Sequence, residues 1–536
     1  MLHKVCILMF LTSSAIAETW TVDDDGTGDF ETIQAAINAA SNGDEILVME
    51  GMYVEHNINT LGKAFIIEGT TNATGELLSI VHGNWQGSVF VCDSGETTST
   101  VLKNLLITGG SAFAGGGLYI EASAPALVGC TFMNNYATKG FGGGICVVDG
   151  LLSLVDCTFI GNIGGVGGGV YNQPQYNSSH EILGCLFQNN QAVEGNYGHG
   201  GGLKHGRGFL NISDCNFIDN TATGGGGGMS EFATNGINIV NCNFIGNTAQ
   251  GGGGLDTSGI GECMIVSSTF IGNESTTYGG GIQSGSPHLA LYNCRFSNNV
   301  TSWLGGAVMM LYADQQPAMF VNCLIDNNTT YAGAAVSIHG TMATEFINTT
   351  IINNVGPGLA IQGWEGQYVN VYNSVIWGNE PISISVDGKI NVDVRYSDIE
   401  GGWAGEGNIN ADPQILFKND SVEIHSSSPC IDSGNDAMLP NDVVDLDGDG
   451  DTIEPLPIDF HGGLRIGGSQ VDMGAIEYHA PYCLGDLNGN AVVNVTDLLI
   501  VIDQWGSSGT PADLNNDGIV DVSDLLIIVG NWGPCL

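Results

Sequence analysis

The stretch CTFIGNIGGVGGGVYN, residues 157–172, contains both halves of a unit that recurs along the chain. Its first half reads C-x-F-x-x-N, and its second half is a glycine-rich turn followed by a short apolar strand. The apolar anchors of successive copies lie 25 to 30 residues apart. They are Leu106, Phe132, Phe159, Phe187, Phe217, Phe244, Phe270, Phe296, Ile325, Ile351 and Ile376. A period of this length predicts a stacked array of coils that bury their apolar faces against one another.

The repeated segments predict short β-strands. Apolar and polar residues alternate along them, and glycine interrupts them at fixed positions, as tight turns require. Such coils stack about 4.8 Å apart. With these features the chain resembles the right-handed parallel β-helix proteins of the pectin-lyase-like superfamily, over roughly residues 20–480. The resemblance implies an all-β fold of at least the eleven coils counted by the anchors.

Two columns of the repeat have structural explanations. The cysteine of each unit has a spacing of one per coil, which does not match a metal motif, so we expect small, reduced side chains stacked inside the coils. The asparagine that ends each unit is expected to form a ladder of hydrogen-bonded amides along a turn. The cysteines in register are Cys130, Cys157, Cys185, Cys215, Cys242, Cys294 and Cys323.

The amino-terminal segment predicts a cap for the stack. An amphipathic helix is expected near residues 30–40, with Ile33, Ala36, Ile37 and Ala40 on one face. A helix over the open end of a stack removes an exposed strand edge that would otherwise pair with other chains.

Enzyme motifs of the superfamily are largely missing. Gly51, Tyr53 and Glu55 match a G-x-Y-x-E pattern similar to the start of pectinesterases, which we interpret as a shared cap. The pectinesterase contexts Q-D-T-L, D-F-I-F-G and R-P-W do not occur, and of the polygalacturonase motifs only G-H-G, residues 198–200, is present. A lyase of this fold needs a Lys or Arg to remove a proton next to a carboxylate. Enzymatic activity therefore stays open.

Candidate substrate-contact residues cluster around GNYGHGGGLKHGRGF, residues 195–209. Alignment of the GGG turns predicts that Leu203 faces inward and Lys204 outward, with His205 in the next column. Aromatic, basic and acidic side chains would then form one patch across about three coils, wide enough for a few sugar units. The patch consists of Tyr171, Lys204, His205, Arg207, Glu231 and Asp256. The alternative is that these are ordinary solvated side chains whose charges balance.

Composition and the first residues indicate export. With 56 acidic against 11 basic residues the formal charge is −45, which excludes a nucleic-acid partner. Residues 1–17 combine a basic start, an apolar run and an A-x-A site, and they predict a signal peptide. A membrane anchor is the alternative, but the run is shorter than the ~20 residues that span a bilayer. We expect a secreted or periplasmic bacterial protein without a transmembrane segment.

The segment 403–480, which is expected to close the β-helix, contains the acidic loop DLDGDGD, residues 445–451. The loop has carboxylates at positions one, three and five and glycine at position six, as a calcium loop does. Position twelve is Leu456, so the closing ligand is missing. Calcium binding and a simple acidic surface loop both stay open.

The last residues, 481–536, contain a duplicated unit whose copies lie 27 residues apart, each predicting a loop and an apolar helix, at 498–505 and 525–532. Six positions of each loop carry the oxygen donors that Ca²⁺ requires. The predicted ligands are Asp486, Asn488, Asn490, Val492 (carbonyl), Asn494, Asp497, Asp513, Asn515, Asp517, Ile519 (carbonyl), Asp521 and Asp524.

The duplicated unit resembles a type I dockerin, which implies binding to a cohesin domain. Ala491 replaces the usual glycine at position six of loop one, whereas Gly518 occupies it in loop two, so we expect tighter binding at loop two. The helices lack the Lys and Arg that often face cohesin. Cys483 and Cys535 bracket the unit, and a disulfide between them is an open alternative.

The sequence thus predicts three parts: a signal peptide (1–17), a β-helix (18–480) and a small α-helical, calcium-binding dockerin-like domain (481–536). The expected function is binding or display of carbohydrate or surface glycan, tethered through the Ca²⁺-dependent domain to a cohesin-like partner. The alternative is a secreted polysaccharide lyase or glycoside hydrolase.

Overall fold

The repeat folds into a parallel β-helix, in which equivalent strands of successive coils pair in register. The computed structural model describes residues 17–232, 235–311, 317–340, 343–418, 421–479, 484–488, 492–508, 510–515 and 517–534. Four parallel sheets of 15, 13, 14 and 8 strands run along the β-helix. The predicted all-β fold is confirmed, and it exceeds the eleven coils that the anchors count.

The first sheet precedes the cysteine column and the third sheet contains the anchors. The strands of the first sheet are Thr19–Val22, Glu45–Val48, Ile66–Gly69, Val101–Lys103, Ala126–Val128, Ser153–Val155, Ser179–Leu183, Phe209–Ser213, Gly236–Val240, Glu262–Val266, His288–Tyr292, Ala318–Val321, Ala343–Ile347, Tyr368–Tyr372 and Asn391–Arg395. Those of the third sheet are Gly51–Val54, Ser79–His82, Leu106–Thr108, Thr131–Met133, Thr158–Ile160, Leu186–Gln188, Asn216–Ile218, Asn243–Ile245, Thr269–Ile271, Arg295–Ser297, Leu324–Asp326, Thr350–Ile352, Val375–Trp377 and Asp398–Ile399.

The second sheet follows the GGG turns, and the short fourth sheet precedes them. The strands of the second sheet are Ile58–Asn59, Phe90–Cys92, Leu118–Glu121, Ile145–Val148, Val170–Gln173, Leu203–His205, Met229–Phe232, Leu255–Ser258, Ile282–Ser284, Val308–Leu311, Val336–His339, Leu359–Gly363 and Ile384–Gly388. Those of the fourth sheet are Tyr136–Phe141, Ile163–Val166, Gln191–Ala192, Thr221–Ala222, Thr248–Gly251, Glu274–Tyr278, Val300–Thr301 and Thr329–Thr330.

The phenylalanine anchors form the centre of the core. From Phe132 to Phe296 the rings stack face to face, with centroids 4.6 to 5.2 Å apart and planes within 8° of parallel. One predicted anchor is wrong: Ile107, not Leu106, is the register partner of Phe132. Leu106 is half-buried, because neighbouring residues of a strand point to opposite faces.

The cysteines and asparagines occupy the columns expected for them. All eleven described cysteines are buried and free of disulfide bonds. The thiols of the seven cysteines in register donate to backbone carbonyls, as Cys294 does to Ile265 at 3.4 Å. The asparagines form a continuous ladder from Asn135 to Asn379. Asn220 is representative: its amide nitrogen donates to Asn247 Oδ1 at 3.0 Å and to the Phe187 carbonyl at 2.9 Å. Both amide hydrogens are therefore satisfied inside the protein, where an unpaired amide would be costly.

A helix caps the amino-terminal end, as predicted. Helix α1, Ile33–Ala39, contacts the first strands of the stack and begins at Ile33 because Thr32 caps it. The Glu55 carboxylate accepts hydrogen bonds from the amides of Ile33 and Gln34, at 2.7 and 3.1 Å. Tyr53 is buried, and its hydroxyl donates to the Val22 carbonyl. The G-x-Y-x-E pattern is thus explained by the cap.

The segment that follows the last coil runs back along the outside of the first and third sheets. It contains the antiparallel hairpin Ile415–Lys418 and Ser421–Ile424, and a short 3₁₀ turn, Asp436–Met438. It packs through Leu456 against Tyr292 and Val321. Arg465 is 1% exposed and donates to Glu477 Oε2 and Asn322 Oδ1 at 2.8 and 2.9 Å. The segment therefore covers a flank of several coils as well as the end.

Candidate functional sites

The GGG turns place one row of half-buried or buried side chains on the outer face of the second sheet. Register pairing connects them from coil to coil, and the outward position predicted for Lys204 is the one it occupies. The row, here called the Lys204 column, consists of Tyr171, Lys204, Ser230, Asp256 and Gln283. The first glycine of each turn makes the sharp corner in a left-handed conformation, with φ of 70° at Gly200 and 71° at Gly226.

The centre of the Lys204 column is a chain of polar contacts. Lys204 Nζ donates to Ser230 Oγ at 3.2 Å, and Ser230 Oγ donates to Asp256 Oδ2 at 3.4 Å. His199 Nδ1 lies 3.7 Å from Asp256 Oδ2 but accepts the Gly225 amide hydrogen at 2.9 Å, so this nitrogen carries no proton. A Cβ at Gly225 would come within 2.2 Å of Asp256 Oδ2, so the glycine allows the carboxylate to lie over the turn.

Lys204 is electrostatically unusual for a surface lysine. Burial lowers its pKa, and the carboxylates of Asp256 and Glu231 only partly offset that effect. Its ammonium group also lies 5.7 Å from the centre of the Phe232 ring. The Lys204 amine, whose pKa is lowered, thus lies one coil away from Ser230 and two coils away from Asp256. This arrangement can bind a polar ligand or accept a proton.

The prediction of one outward patch is wrong for His205 and Glu231. They are 0% and 1% exposed, because they lie two residues after Leu203 and Met229 and share their inward face. His205 contacts the Asn172 side-chain amide at 2.9 Å, and burial lowers its pKa well below the usual range. Glu231 accepts hydrogen bonds from the Gly259 amide and the Thr257 hydroxyl.

Arg207 is separated from the Lys204 column. It follows the strand Leu203–His205, whereas the GGG turn precedes that strand. Its guanidinium stacks over the Tyr176 ring, 4.5 Å from the ring centre. Of the six predicted contact residues, the structure therefore brings Tyr171, Lys204 and Asp256 into one outward row.

Two aromatic pairs that the sequence analysis missed lie at the ends of this row. Phe141 contacts Tyr171 with centroids 4.6 Å apart, and Tyr278 stacks on Trp303 at 5.2 Å. Phe141 and Tyr278 immediately precede the first turn glycine, as His199 does. The residue before each GGG is therefore the sequence signal for a side chain beside the Lys204 column. Tyr278 lies four coils beyond Tyr171, which corresponds to about 19 Å along the stack.

In each carboxyl-terminal loop, the carboxylate at position twelve accepts hydrogen bonds from backbone amides near the beginning of the loop. Asp497, at position twelve, accepts hydrogen bonds from the amides of Leu487 and Asn488 at 2.9 and 3.2 Å. Asp524 does the same for Leu514 and Asn515 in loop two, at 2.7 and 3.1 Å. These contacts bring the beginning of each loop against its last position. Asn490 and Ala491 lie outside the described residues, as do residues 1–16 and both Cys483 and Cys535.

Two short helices follow these loops and begin three residues earlier than predicted. Helix α2 is Val495–Asp503 and helix α3 is Val522–Gly530. Asn494 and Asp521, at position nine of the loops, cap the helices, and Asp497 and Asp524 complete capping boxes. One small core joins the helices through Val493, Val501, Ala512, Val520 and Ile528, and strand Val492–Val493 pairs with Gly533–Pro534.

Residues 484–531 match the sequence model of the family described as Dockerin type I domain. The chain is a dockerin-bearing β-helix protein. Dockerin type I domains bind calcium. The donor set of this dockerin domain fits that ion, because residues 484–531 contain seven Asp and no Lys, Arg or His. No curated protein matches the chain.

The solved structures that match this dockerin-bearing β-helix protein include three at low identity. Pectate lyase Pel9A is 13% identical with a TM-score of 0.29, covering 86% of this chain and 96% of its own. The periplasmic alginate epimerase AlgG is 10% identical, with a TM-score of 0.31 and coverages of 65% and 77%. The PL6 family alginate lyase AlyGC is 13% identical, with a TM-score of 0.36 and coverages of 77% and 56%.

The helices of the dockerin domain present apolar rows to solvent at equivalent positions. Each row consists of side chains about one helical turn apart, and all of them are exposed. The rows are Val495, Leu499, Ile502 and Trp505, and Val522, Leu526, Val529 and Trp532. No helix among the described residues has the length and apolar character that crossing a membrane requires.

Proposed function

We propose that this is an exported β-helix protein that binds polysaccharide along the Lys204 column and is tethered to a cohesin through its dockerin domain. The division into a signal peptide (1–17), a β-helix (18–480) and a dockerin domain (481–536) belongs to this proposal. The observation that carries the glycan-binding part is the outward row from Tyr171 to Gln283, with an aromatic pair at each end.

The chemistry of this row suits a neutral or weakly charged glycan. Aromatic faces stack on the apolar faces of sugar rings, while Lys204, Ser230 and Asp256 offer hydrogen-bond donors and acceptors between them. The ~19 Å between the aromatic pairs leaves room for several sugar units. The net charge of −45 disfavours long-range attraction of a polyanion, although physiological salt screens charges beyond about 8 Å.

The tether proposal rests on the apolar rows of the dockerin domain. Exposed side chains such as Leu499, Trp505, Leu526 and Trp532 form a surface of the kind that marks protein interfaces. A cohesin would cover one or both rows. Because these helices carry no Lys or Arg, apolar contact would dominate the interface.

Calcium would organise the dockerin loops. We assign the ion in loop one to Asp486, Asn488, Asn490, the Val492 carbonyl and Asp497, and the ion in loop two to Asp513, Asn515, Asp517, the Ile519 carbonyl and Asp524. Asn494 and Asp521 occupy position nine, which commonly reaches calcium through a water molecule. The same two side chains cap helices α2 and α3, and so they would connect ion binding to the helices.

A second candidate function, polysaccharide lyase activity, is favoured by one observation. Burial lowers the pKa of Lys204, which makes its amine a better base at neutral pH than an exposed lysine. In this role Lys204 would take the proton next to a uronate carboxylate. Asp256 would then hold a cation or the substrate.

The experiment is a binding screen of neutral and uronate polysaccharides against the full chain, with Ca²⁺ present. We expect Lys204→Ala to weaken binding at least tenfold and Tyr278→Ala to weaken it several-fold, because each removes a contact in the row. Lys389→Ala, an exposed lysine several coils away, is the matched control and should bind normally. Equal binding by Lys204→Ala and wild type would contradict the proposal, and unsaturated products from a uronate would favour the lyase.

A further inference from the structure

The acidic loop of the flanking segment is the tip of a hairpin with a fixed base. Asn441 and Pro455 form an antiparallel bridge, and the Asp442 amide donates to the Glu454 carbonyl at 2.8 Å. The Leu456 amide donates to the Pro440 carbonyl, also at 2.8 Å. This base places Asp442 and Glu454 opposite each other, with the acidic residues 445–451 between them in sequence. We call residues 440–456 the acidic hairpin.

Two carboxylates inside the acidic hairpin lack a partner for one oxygen. Asp442 is 1% exposed; its Oδ2 accepts the Leu446 amide hydrogen at 2.7 Å, but its buried Oδ1 has no hydrogen-bond partner among the described residues. Glu454 Oε1 is likewise buried without a partner there. Oxygens of Asp442, Asp447 and Glu454 lie within 4.8 Å of one another. Residues 440–456 contain no Lys or Arg, so burying the unpartnered oxygens of Asp442 and Glu454 beside Asp447 costs free energy unless a cation compensates.

A second group of carboxylates shares Asp447 with the first. Oxygens of Asp445, Asp447 and Asp449 also lie within 4.8 Å of one another. Asp445 adopts a left-handed conformation, with φ of 55°, and accepts the Gly450 amide hydrogen at 3.0 Å, which curls the loop around these oxygens. Five carboxylates therefore surround the interior of the hairpin.

We propose that the acidic hairpin binds one Ca²⁺ ion, with Asp442, Asp447 and Glu454 as inner ligands and Asp445 and Asp449 completing the site. Position twelve of the loop, Leu456, cannot close a calcium loop of the usual kind. In this hairpin Asp442, upstream of the loop, and Glu454, at position ten, take over the closing role. Six to eight oxygens in flexible geometry suit Ca²⁺, whereas Mg²⁺ demands a near-ideal octahedron.

The ion would attach the flanking segment to the β-helix. Leu456 at the base of the acidic hairpin is 2% exposed and packs with Tyr292 and Val321, while Val444 and Leu446 line the same cluster. Without the ion, repulsion among five carboxylates opposes this packing. Calcium occupancy therefore controls how firmly the segment covers the flank of the coils, independently of any glycan or cohesin binding.

The test counts bound ions in the full chain by equilibrium dialysis. We expect Asp442→Asn to bind one Ca²⁺ fewer than wild type. Asp451→Asn, which removes the same charge from an exposed position outside both carboxylate groups, should bind as many as wild type. Both variants keep the dockerin domain unchanged, so a difference between them in the number of bound ions comes from the acidic hairpin. Equal stoichiometry in Asp442→Asn and wild type would overturn the proposal; should Asp442→Asn fail to fold, Glu454→Gln decides by the same criterion.

Hydrogen exchange of the unmodified chain gives a second readout. Amides of residues 440–456 should exchange at least tenfold faster in EDTA than in millimolar Ca²⁺, and Mg²⁺ should not restore the slow rate. The same exchange with and without Ca²⁺ would refute the site. Equal protection by Mg²⁺ would refute the assignment to calcium.

Discussion

At the scale of single residues, buried polar groups in this protein fall into satisfied and unsatisfied classes. The asparagine ladder is satisfied from Asn135 to Asn354, because each amide donates to the next amide and to a backbone carbonyl, as Asn220 does. Asp398 lies between the two classes: it is 0% exposed at the last strand of the third sheet, its Oδ1 accepts the Ala411 amide hydrogen at 3.1 Å, and its Oδ2 accepts a hydrogen bond from the weak donor Cys430 Sγ at 3.4 Å. Such a carboxylate makes stability depend on pH.

Asp398→Asn should change the pH dependence of unfolding. Burial raises the pKa of Asp398 to about 6, above the ~3.9 of an unfolded aspartate. Between these two pKa values the folded protein keeps a proton on Asp398 that the unfolded chain has lost. The stabilisation from this protonated carboxyl is fully present below pH ~4 and is lost as the pH rises through 6. The variant, which stays neutral, should lack this loss and melt a few degrees higher at pH 8.

Thermal unfolding of both proteins between pH 4 and 8 measures the effect. The exposed Asp387→Asn serves as the control and should show the wild-type profile. Parallel curves for wild type and Asp398→Asn would disprove the shift.

At the scale of elements, capping side chains decide where the helices begin. Thr32 caps α1, within the segment expected to be helical, whereas Asn494 and Asp521 cap α2 and α3 at loop positions that the apolar pattern alone did not mark as helical. In the dockerin domain the same residues belong to loops rich in carboxylates. Helix formation and ion binding are therefore expected to be linked.

The dockerin domain should fold only with Ca²⁺. Its helices have nine residues each, too few for stability alone in water, and its seven Asp have no cationic side chain to balance them. Circular dichroism and calorimetric titration of the excised residues 481–536 should show helix forming as Ca²⁺ binds. Full helicity in EDTA with thiols reduced would contradict this.

Loop two should bind the ion more tightly than loop one. Gly518 adopts φ of 95°, where an alanine is strained, so Gly518→Ala should weaken the tighter of the two binding steps several-fold. An unchanged titration would show that position six does not set the affinity.

At the scale of the whole molecule, the β-helix is held together by stacking between neighbouring coils. The coils from Phe132 to Phe296 each contribute one ring to the phenylalanine stack and one rung to the asparagine ladder. Opening one coil exposes the faces of two others. The interior should consequently be protected as a unit.

Thiol labelling tests that protection. Cys157, Cys185 and Cys215 are each 0% exposed, so a thiol reagent should react with them only in denaturant, and with all of them together. A small-to-large replacement at this column, such as Cys215→Phe, should destabilise the β-helix by about 1–3 kcal/mol through overpacking. Rapid labelling of these cysteines in the native protein would show that the coils open locally.

The sequence by itself determined the periodic features. The repeat predicted the parallel β-helix, the inward cysteine column, the asparagine ladder along a turn and the outward Lys204, because stacking in register turns a sequence period directly into columns. The duplicated Asp and Asn spacing likewise predicted the dockerin loops. These properties depend on residues close in sequence, or on one rule repeated at every coil.

Only the tertiary structure decided what depends on orientation and on contacts between distant segments. A one-residue difference in strand register put Ile107 rather than Leu106 in the core. Alternation along the strands put His205 and Glu231 on the same inward face as Leu203 and Met229. The aromatic pairs at the ends of the Lys204 column come from different coils. Asp442 and Glu454 meet because a hairpin closes beneath them, and no local spacing rule encodes such a closure.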